Sequence, residues 1–223
     1  MTTAAAPTIA RSVLIFMKSP EPGRVKTRLA RALGAKQAAA LYRDWIGFVL
    51  GLLQPLRNTT RLVGYFDGPL EAFHEWHALA DDWRPQPSGD LGERLLAGFE
   101  WEFKRGGTVL AVGTDCVEID ADLLLQAFEI LSQHDVVFGP TPDGGYYLIG
   151  LSMLRPALFR SIRWSSRFTL ADHLRCCRDQ GWATSFLPIR HDIDTENDWH
   201  EYLARTGQGS APLNPGNRHP RSE

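Results

Sequence analysis

The chain has 223 residues, 43% of them apolar and 22% charged, with a formal net charge of −2. That length and composition support one substantial buried core, and the lack of a basic excess argues against nucleic acid as a partner. The three cysteines, Cys116, Cys176 and Cys177, include an adjacent pair and show no zinc spacing, which fits a reducing, cytoplasmic setting.

Residues 1–11 hold a single Arg, and the apolar run after them, "VLIFM", is too short for a signal-peptide core or a membrane span. The first predicted strand is "SVLIFM" (12–17). "KTRLARAL" (26–33) reads as a helix stopping at Gly34, and "AKQAAALYRDWIGFVLGLL" (35–53) as a second. "TRLVGYF" (60–66) is the next strand. "LGERLLAGFEWEFKRG" (91–106) places Leu91, Leu95, Phe99 and Phe103 four apart on one helix face, with Gly106 as a stop. "TVLAVGT" (108–114) is a strand, and "DADLLLQAFEILSQ" (120–133) a helix capped by Asp120 or Asp122. "DVVFGP" (135–140), "YYLIGL" (146–151) and "ATSFLPI" (183–189) complete the strands. This alternation predicts an α/β/α sandwich on a mainly parallel sheet, with the first and third strands central because their apolar runs are unbroken. Residues 1–205 read as a single domain, and 206–223, rich in Pro, Gly and Ser, as a disordered tail.

Ligands of open parallel sheets bind beyond the carboxyl ends of the strands, so the segments that follow strands carry the candidate site. After the first comes "KSPEPGRVKTR", where Lys18, Arg24, Lys26 and Arg28 surround an expected helix start near Val25 or Lys26. Free N–H groups and four cations there suit a multiply charged anion such as a pyrophosphate, although neither a Walker A loop nor GxGxxG is present. After the third comes "GTDC", whose Asp115 is placed to hold Mg²⁺ or Mn²⁺, hard cations that prefer oxygen; the alternative is a helix cap. After the fourth comes "GPTPDGGYYLIGL", a turn in which Gly144 and Gly145 allow close approach of backbone to ligand, with Asp143 and Tyr146 at its rim. After the last comes "RHDIDTENDW", with Asp192 and Asp194 on one face in extended chain and "TEND" resembling a capped helix start. "HEWH" (74–77) lacks metal-site spacing and reads as a solvated helix face. "RWSSRF" (163–168) is an open candidate for a substrate loop.

Taken together, "FMKSPEPGRVKTRLARALG", "GDLGERL", "GTDC", "GPTPDGGYYLIGL" and "DIDTENDW" resemble the DUF2064 group of arsenosugar-biosynthesis-type glycosyltransferases, within the nucleotide-diphospho-sugar transferase superfamily. The resemblance spans roughly residues 12–200 and departs from the family pattern at Val117, where a proline usually follows "GTDC". It implies a Rossmann-like GT-A fold, a divalent metal (Mg or Mn) on Asp115 and Asp194, and nucleotide phosphates on the basic loop. Gly92 and Arg94 of "GDLGERL" join the candidate nucleotide contacts, and Gly144, Gly145 and Tyr146 the substrate contacts.

Three functions are compatible with these residues. In glycosyl transfer a nucleotide-sugar gives its sugar to a small acceptor and releases a nucleoside diphosphate, with Glu93, Asp143 or Asp192 as base. In nucleotidyl transfer a phosphorylated small molecule attacks a nucleoside triphosphate and pyrophosphate leaves. The third is a nucleotide-binding module without turnover. The resemblance favours the first; the oligomeric state is left open.

Overall fold

The computed structural model describes residues 11–206. The chain runs β1 (Arg11–Lys18), α1 (Ala30–Leu33), α2 (Ala35–Leu53), β2 (Arg61–Asp67), a 3-10 segment (Leu70–Leu79), β3 (Asp82–Pro85), α3 (Leu91–Phe103), β4 (Thr108–Gly113), α4 (Ala121–Ile130), β5 (Val136–Pro140), β6 (Tyr146–Leu151), α5 (Thr169–Asp179), β7 (Thr184–Phe186) and α6 (Glu196–Thr206). The strand order is β3-β2-β1-β4-β6-β5-β7. β1 and β4 are parallel neighbours at its centre, as their apolar runs require. β6 is antiparallel to both β4 and β5, because residues 141–145 are too few for a crossover and can only make a hairpin.

Alternate residues of the strands feed two cores. Val13, Ile15 and Met17 of β1 pack with Trp45, Ile46 and Val49 of α2, Leu124 and Phe128 of α4, and Trp199 of α6. Leu14 packs on the other face with Leu95 and Phe99 of α3 and Cys177 of α5. The result is the expected three-layer sandwich. α3 starts at a reciprocal cap, in which Asp90 accepts from the Glu93 amide and Glu93 from the Asp90 amide. Asp120 caps α4, and Thr195 and Asp198 cap α6 in the same reciprocal way.

Four expectations change. The helix expected from residue 26 starts at Ala30, because Lys26 sits at φ 47°, a left-handed conformation that no right-handed helix accommodates. The last strand stops at Phe186, two residues short of Pro188, whose ring nitrogen has no ladder donor. β3 and α5 went unseen in the sequence: β3 is a four-residue edge strand, and α5 buries Thr169, Asp172 and His173, which carry no apolar period. "HEWH" lies in the 3-10 segment, with Trp76 buried and the His77 ring 5.2 Å from that of Trp83. The expected tail falls outside the described residues, except for Thr206 at the end of α6. Among the described residues no helix is long and apolar enough to cross a membrane.

The buried polar face of α5 has an energetic consequence. His173 is fully buried, ringed by Phe138, Tyr146 and Trp164 at centroid distances of 5.5, 5.3 and 5.3 Å, and its Nε2 lies 3.2 Å from the Tyr146 hydroxyl. Burial pushes its pKa down to about 4, against the pull of the Asp172 carboxylate. An unfolded His binds its proton near pH 6.5, so stability is full above that and is lost as pH falls towards about 4. A shift of this size amounts to roughly 3 kcal/mol. Urea unfolding of the wild type should therefore show a steep loss between pH 6.5 and 4.5 that His173→Phe lacks; an unchanged slope in the variant would refute the account.

Candidate functional site

The connection from β1 runs outward to β2 and β3, and the chain then returns to β4 on the other side of β1. Strand order therefore reverses at β1/β4, and a cleft of about 710 Å³ opens beyond the carboxyl ends of these strands. Its walls include Lys18, Arg24, Lys26, Arg28, Asp67, Gln86, Arg94, Asp115, Asp143, Tyr146, Asp192 and Asp194. Residues some 170 positions apart in sequence thus meet at one place.

The centre of the site is Lys26. Its ammonium is 2.8 Å from Asp115 Oδ1 and 3.0 Å from Asp194 Oδ1, and it donates to the Ile193 carbonyl at 2.7 Å. The side chain is 4% exposed and lies over the rings of Trp45 and Tyr42, at 5.2 and 5.9 Å. Burial opposes its charge, but the Asp115 and Asp194 carboxylates outweigh burial and hold its pKa above the ordinary value. Asp194 reaches this point because the Ile193 amide donates to the Asp115 carbonyl at 3.1 Å, and because the Asp198 cap accepts from the Asp194 amide. Tyr42 accepts from the Lys18 amide and bonds Thr114 Oγ1, both at 3.0 Å, tying α2 to the ends of β1 and β4.

Besides Asp67, which pairs with Arg94, four carboxylates, from Asp115, Asp143, Asp192 and Asp194, line the cleft with this ammonium. Asp192 shows the excess of negative charge. Burial pushes its pKa up to about 7, with Asp115, Asp194 and Asp143 adding to the rise and Lys26 opposing it. Oxygen donors of this kind fit a hard divalent cation, and the Lys26 ammonium marks the point on which two carboxylates and a carbonyl converge. Among the described residues no three His, Cys, Asp or Glu side chains come together as a ready metal site, so further ligands would be the carbonyl, water or phosphate.

The remaining sequence candidates divide. Lys18 is exposed at the cleft wall. Arg24 is exposed beside Glu21 at 3.1 Å, and Arg28 is exposed with its Nη1 3.7 Å from Asp194 Oδ2. Arg94 is held by Asp67 at 2.7 Å and by the Gly89 carbonyl at 3.0 Å. Asp143 lines the cleft, and its Oδ1 accepts from Thr141 Oγ1 at 2.6 Å and from the Gly145 amide at 3.1 Å. Gly144 adopts φ 88°, and its carbonyl accepts from the Leu170 amide, joining the turn to the start of α5. Tyr146 turns its hydroxyl to His173. Glu93 Oε2 accepts from the Asp90 amide at 2.8 Å in the cap of α3. Gly92 answers to packing: a Cβ there would meet the Trp164 ring at 2.6 Å. The anion site at a helix N-terminus is absent as well, since α1 has four residues and starts beyond the cations.

Sequence reading missed Tyr42, Trp45, Asp67 and Gln86. Gln86 Nε2 donates to the Tyr65 carbonyl at 2.7 Å and the Met17 carbonyl at 3.3 Å, bracing the ends of β2 and β1. Asp67 ends β2 and was findable by the rule that sends function to strand ends. Tyr42 and Trp45 look like helix core in sequence and carry no separate signal.

The Gly92–Trp164 contact yields a direct test. Gly92→Ala should cost about 1–3 kcal/mol of stability through overpacking. Trp164→Leu in the same background should recover part of the loss in urea unfolding, whereas a role in ligand contact alone would leave stability unchanged.

Residues 56–166 match the family model DUF2064, described as an uncharacterized protein conserved in bacteria. A crystal structure from Desulfovibrio desulfuricans G20, of a candidate nucleotide-diphospho-sugar transferase, is 31% identical, with 89% of each chain covered and a TM-score of 0.81. 4-Diphosphocytidyl-2C-methyl-D-erythritol synthase from Anaerococcus prevotii shares the fold at 11% identity, 88% of this chain, 98% of that chain and a TM-score of 0.56. The inositol-1-phosphate CTP transferase from T. maritima does so at 12% identity, 91% and 98% coverage and a TM-score of 0.54. No curated protein matches the chain. With a relative this similar over nearly its whole length, and with the matching family model, the chain belongs to the DUF2064 family and has the Rossmann-like fold of the nucleotide-diphospho-sugar transferases.

Proposed function

We propose that the protein transfers a glycosyl group from a nucleotide-sugar to a small acceptor and releases a nucleoside diphosphate. The observation that carries this reading is the division of charge in one cleft, where exposed Lys18, Arg24 and Arg28 share the walls with Asp115, Asp143, Asp192 and Asp194. Cations of this kind bind the diphosphate and stabilise the charge that grows on it as the glycosidic bond breaks. Mg²⁺ or Mn²⁺ on Asp115 and Asp194 would add Lewis-acid charge at the same diphosphate.

The acceptor hydroxyl needs a base. Asp143 Oδ1 already accepts two hydrogen bonds in its turn, and Glu93 serves a cap, which leaves Asp192 as the carboxylate assigned to the acceptor proton. Gly144 and Gly145 shape the turn that carries Asp143: a Cβ on Gly144 would collide with the Arg167 carbonyl, and one on Gly145 would meet Thr141 Oγ1 at 3.0 Å. Nucleotidyl transfer is the second reading. It is favoured by the fold shared with the CTP-using enzyme and by Arg94 as a further cation at the cleft, which together suit a triphosphate.

The two separate by product. The protein is incubated with UDP-, GDP-, CDP- and ADP-sugars, and in parallel with nucleoside triphosphates and sugar phosphates, each with Mg²⁺ or Mn²⁺. Nucleoside diphosphate release from one sugar conjugate is expected; pyrophosphate release alone would move the assignment to nucleotidyl transfer. Arg28→Ala should weaken the diphosphate's dissociation constant about tenfold, as loss of one charge-assisted contact does. Asp192→Asn should lower kcat by roughly 10²-fold or more. An unaltered kcat would remove Asp192 from the role of base.

A further inference from the structure

Lys26 ends where three oxygens converge. Its ammonium has the Asp115, Asp194 and Ile193 oxygens at 2.8, 3.0 and 2.7 Å, and two aromatic faces close it off beneath. The backbone at φ 47° sets the side chain on this path, and its 4% exposure separates it from Arg24 and Arg28, which stand in solvent at 61% and 71%. A divalent cation needs the same carboxylate oxygens at about 2.0–2.6 Å. Two cations cannot share them without strong repulsion in a partly buried site.

We propose that Lys26 is a tethered cation that competes with the divalent ion for the seat between Asp115 and Asp194. It keeps these carboxylates together while the cleft lacks nucleotide. It yields the seat when phosphates enter and offer the ammonium a new anionic partner. Ion and nucleotide then bind as a coupled pair, each raising the affinity of the other by the same factor. This goes beyond the transfer reading but rests on its assignment of Asp115 and Asp194 to the ion.

The test uses Mn²⁺ alone, titrated into the nucleotide-free 223-residue chain and followed by the EPR signal of the free ion. Lys26→Met should bind Mn²⁺ at least tenfold more tightly than the wild type, and Lys26→Arg, which keeps the charge, should not. Lys26→Gln replaces Lys26→Met should the latter fail to fold. The gain should vanish in Lys26→Met/Asp194→Asn, which takes a carboxylate out of the seat. Equal Mn²⁺ affinity in the wild type and the neutral variants, or no binding in any of them, would overturn the proposal. No turnover enters this measurement, so a failure of the transfer reading in the product assay leaves its outcome legible on its own.

Discussion

A buried positive charge between two carboxylates joins three of the chain segments that line the cleft. Lys26 belongs to the loop after β1, Asp115 to the end of β4 and Asp194 to the segment before α6. Taking both carboxylates away would leave the Lys26 ammonium, 4% exposed, without its partners, which is costlier than losing a surface ion pair; Asp115 and Asp194 themselves stay 48% and 46% exposed. The backbone makes the same connection through the Ile193 amide and the Asp115 carbonyl. Tyr42 and Trp45 come from α2, so the long helix that covers one face of the sheet also forms the floor of the charged centre.

The opposite wall depends on the antiparallel hairpin. β6 enters between β4 and β5, which brings the 141–145 turn beside the switch point. The turn is held by Asp143 internally and by the bond from the Leu170 amide to the Gly144 carbonyl. The loop before α5 is strained at Ser161 and Ser165, with φ of 59° and 54°, and Ser165 reaches the cleft. The buried Asp172 carboxylate secures that loop through Arg163, whose backbone and guanidinium both donate to it. Strained backbone persists only where surroundings over-determine it, and here the ion pair and the Trp164–Gly92 contact supply that constraint.

Much of the architecture was readable from local pattern. Unbroken apolar runs at 12–17 and 108–114 placed two strands at the centre, and β1 and β4 lie there. Asp120 and Thr195 sat where caps belong and act as caps. Patterns that lacked an apolar period were lost: α5 hides Thr169, Asp172 and His173 inside, and β3 is too short to alternate. The helix expected at Lys26 failed for a different reason. Local pattern there suggests a helix, but Lys26 takes a left-handed backbone and its ammonium meets two carboxylates distant in sequence.

The sequence by itself determined which segments meet at the cleft, because a strand's carboxyl end borders the crevice of an open α/β sheet and the charged residues follow those ends directly. It determined the layer architecture too, since apolar period and length are local properties. Only the tertiary structure decided what each charge faces. Lys26 reads in sequence as one of four exposed phosphate-binding cations, yet in the fold it is buried against Asp115 and Asp194. Glu93 and Gly92 read as site residues, and in the fold the Glu93 carboxylate meets the Asp90 amide while the Trp164 ring packs against Gly92. The physical reason is distance along the chain: pairing between a side chain and a partner some 170 residues away leaves no periodic trace in the sequence around either.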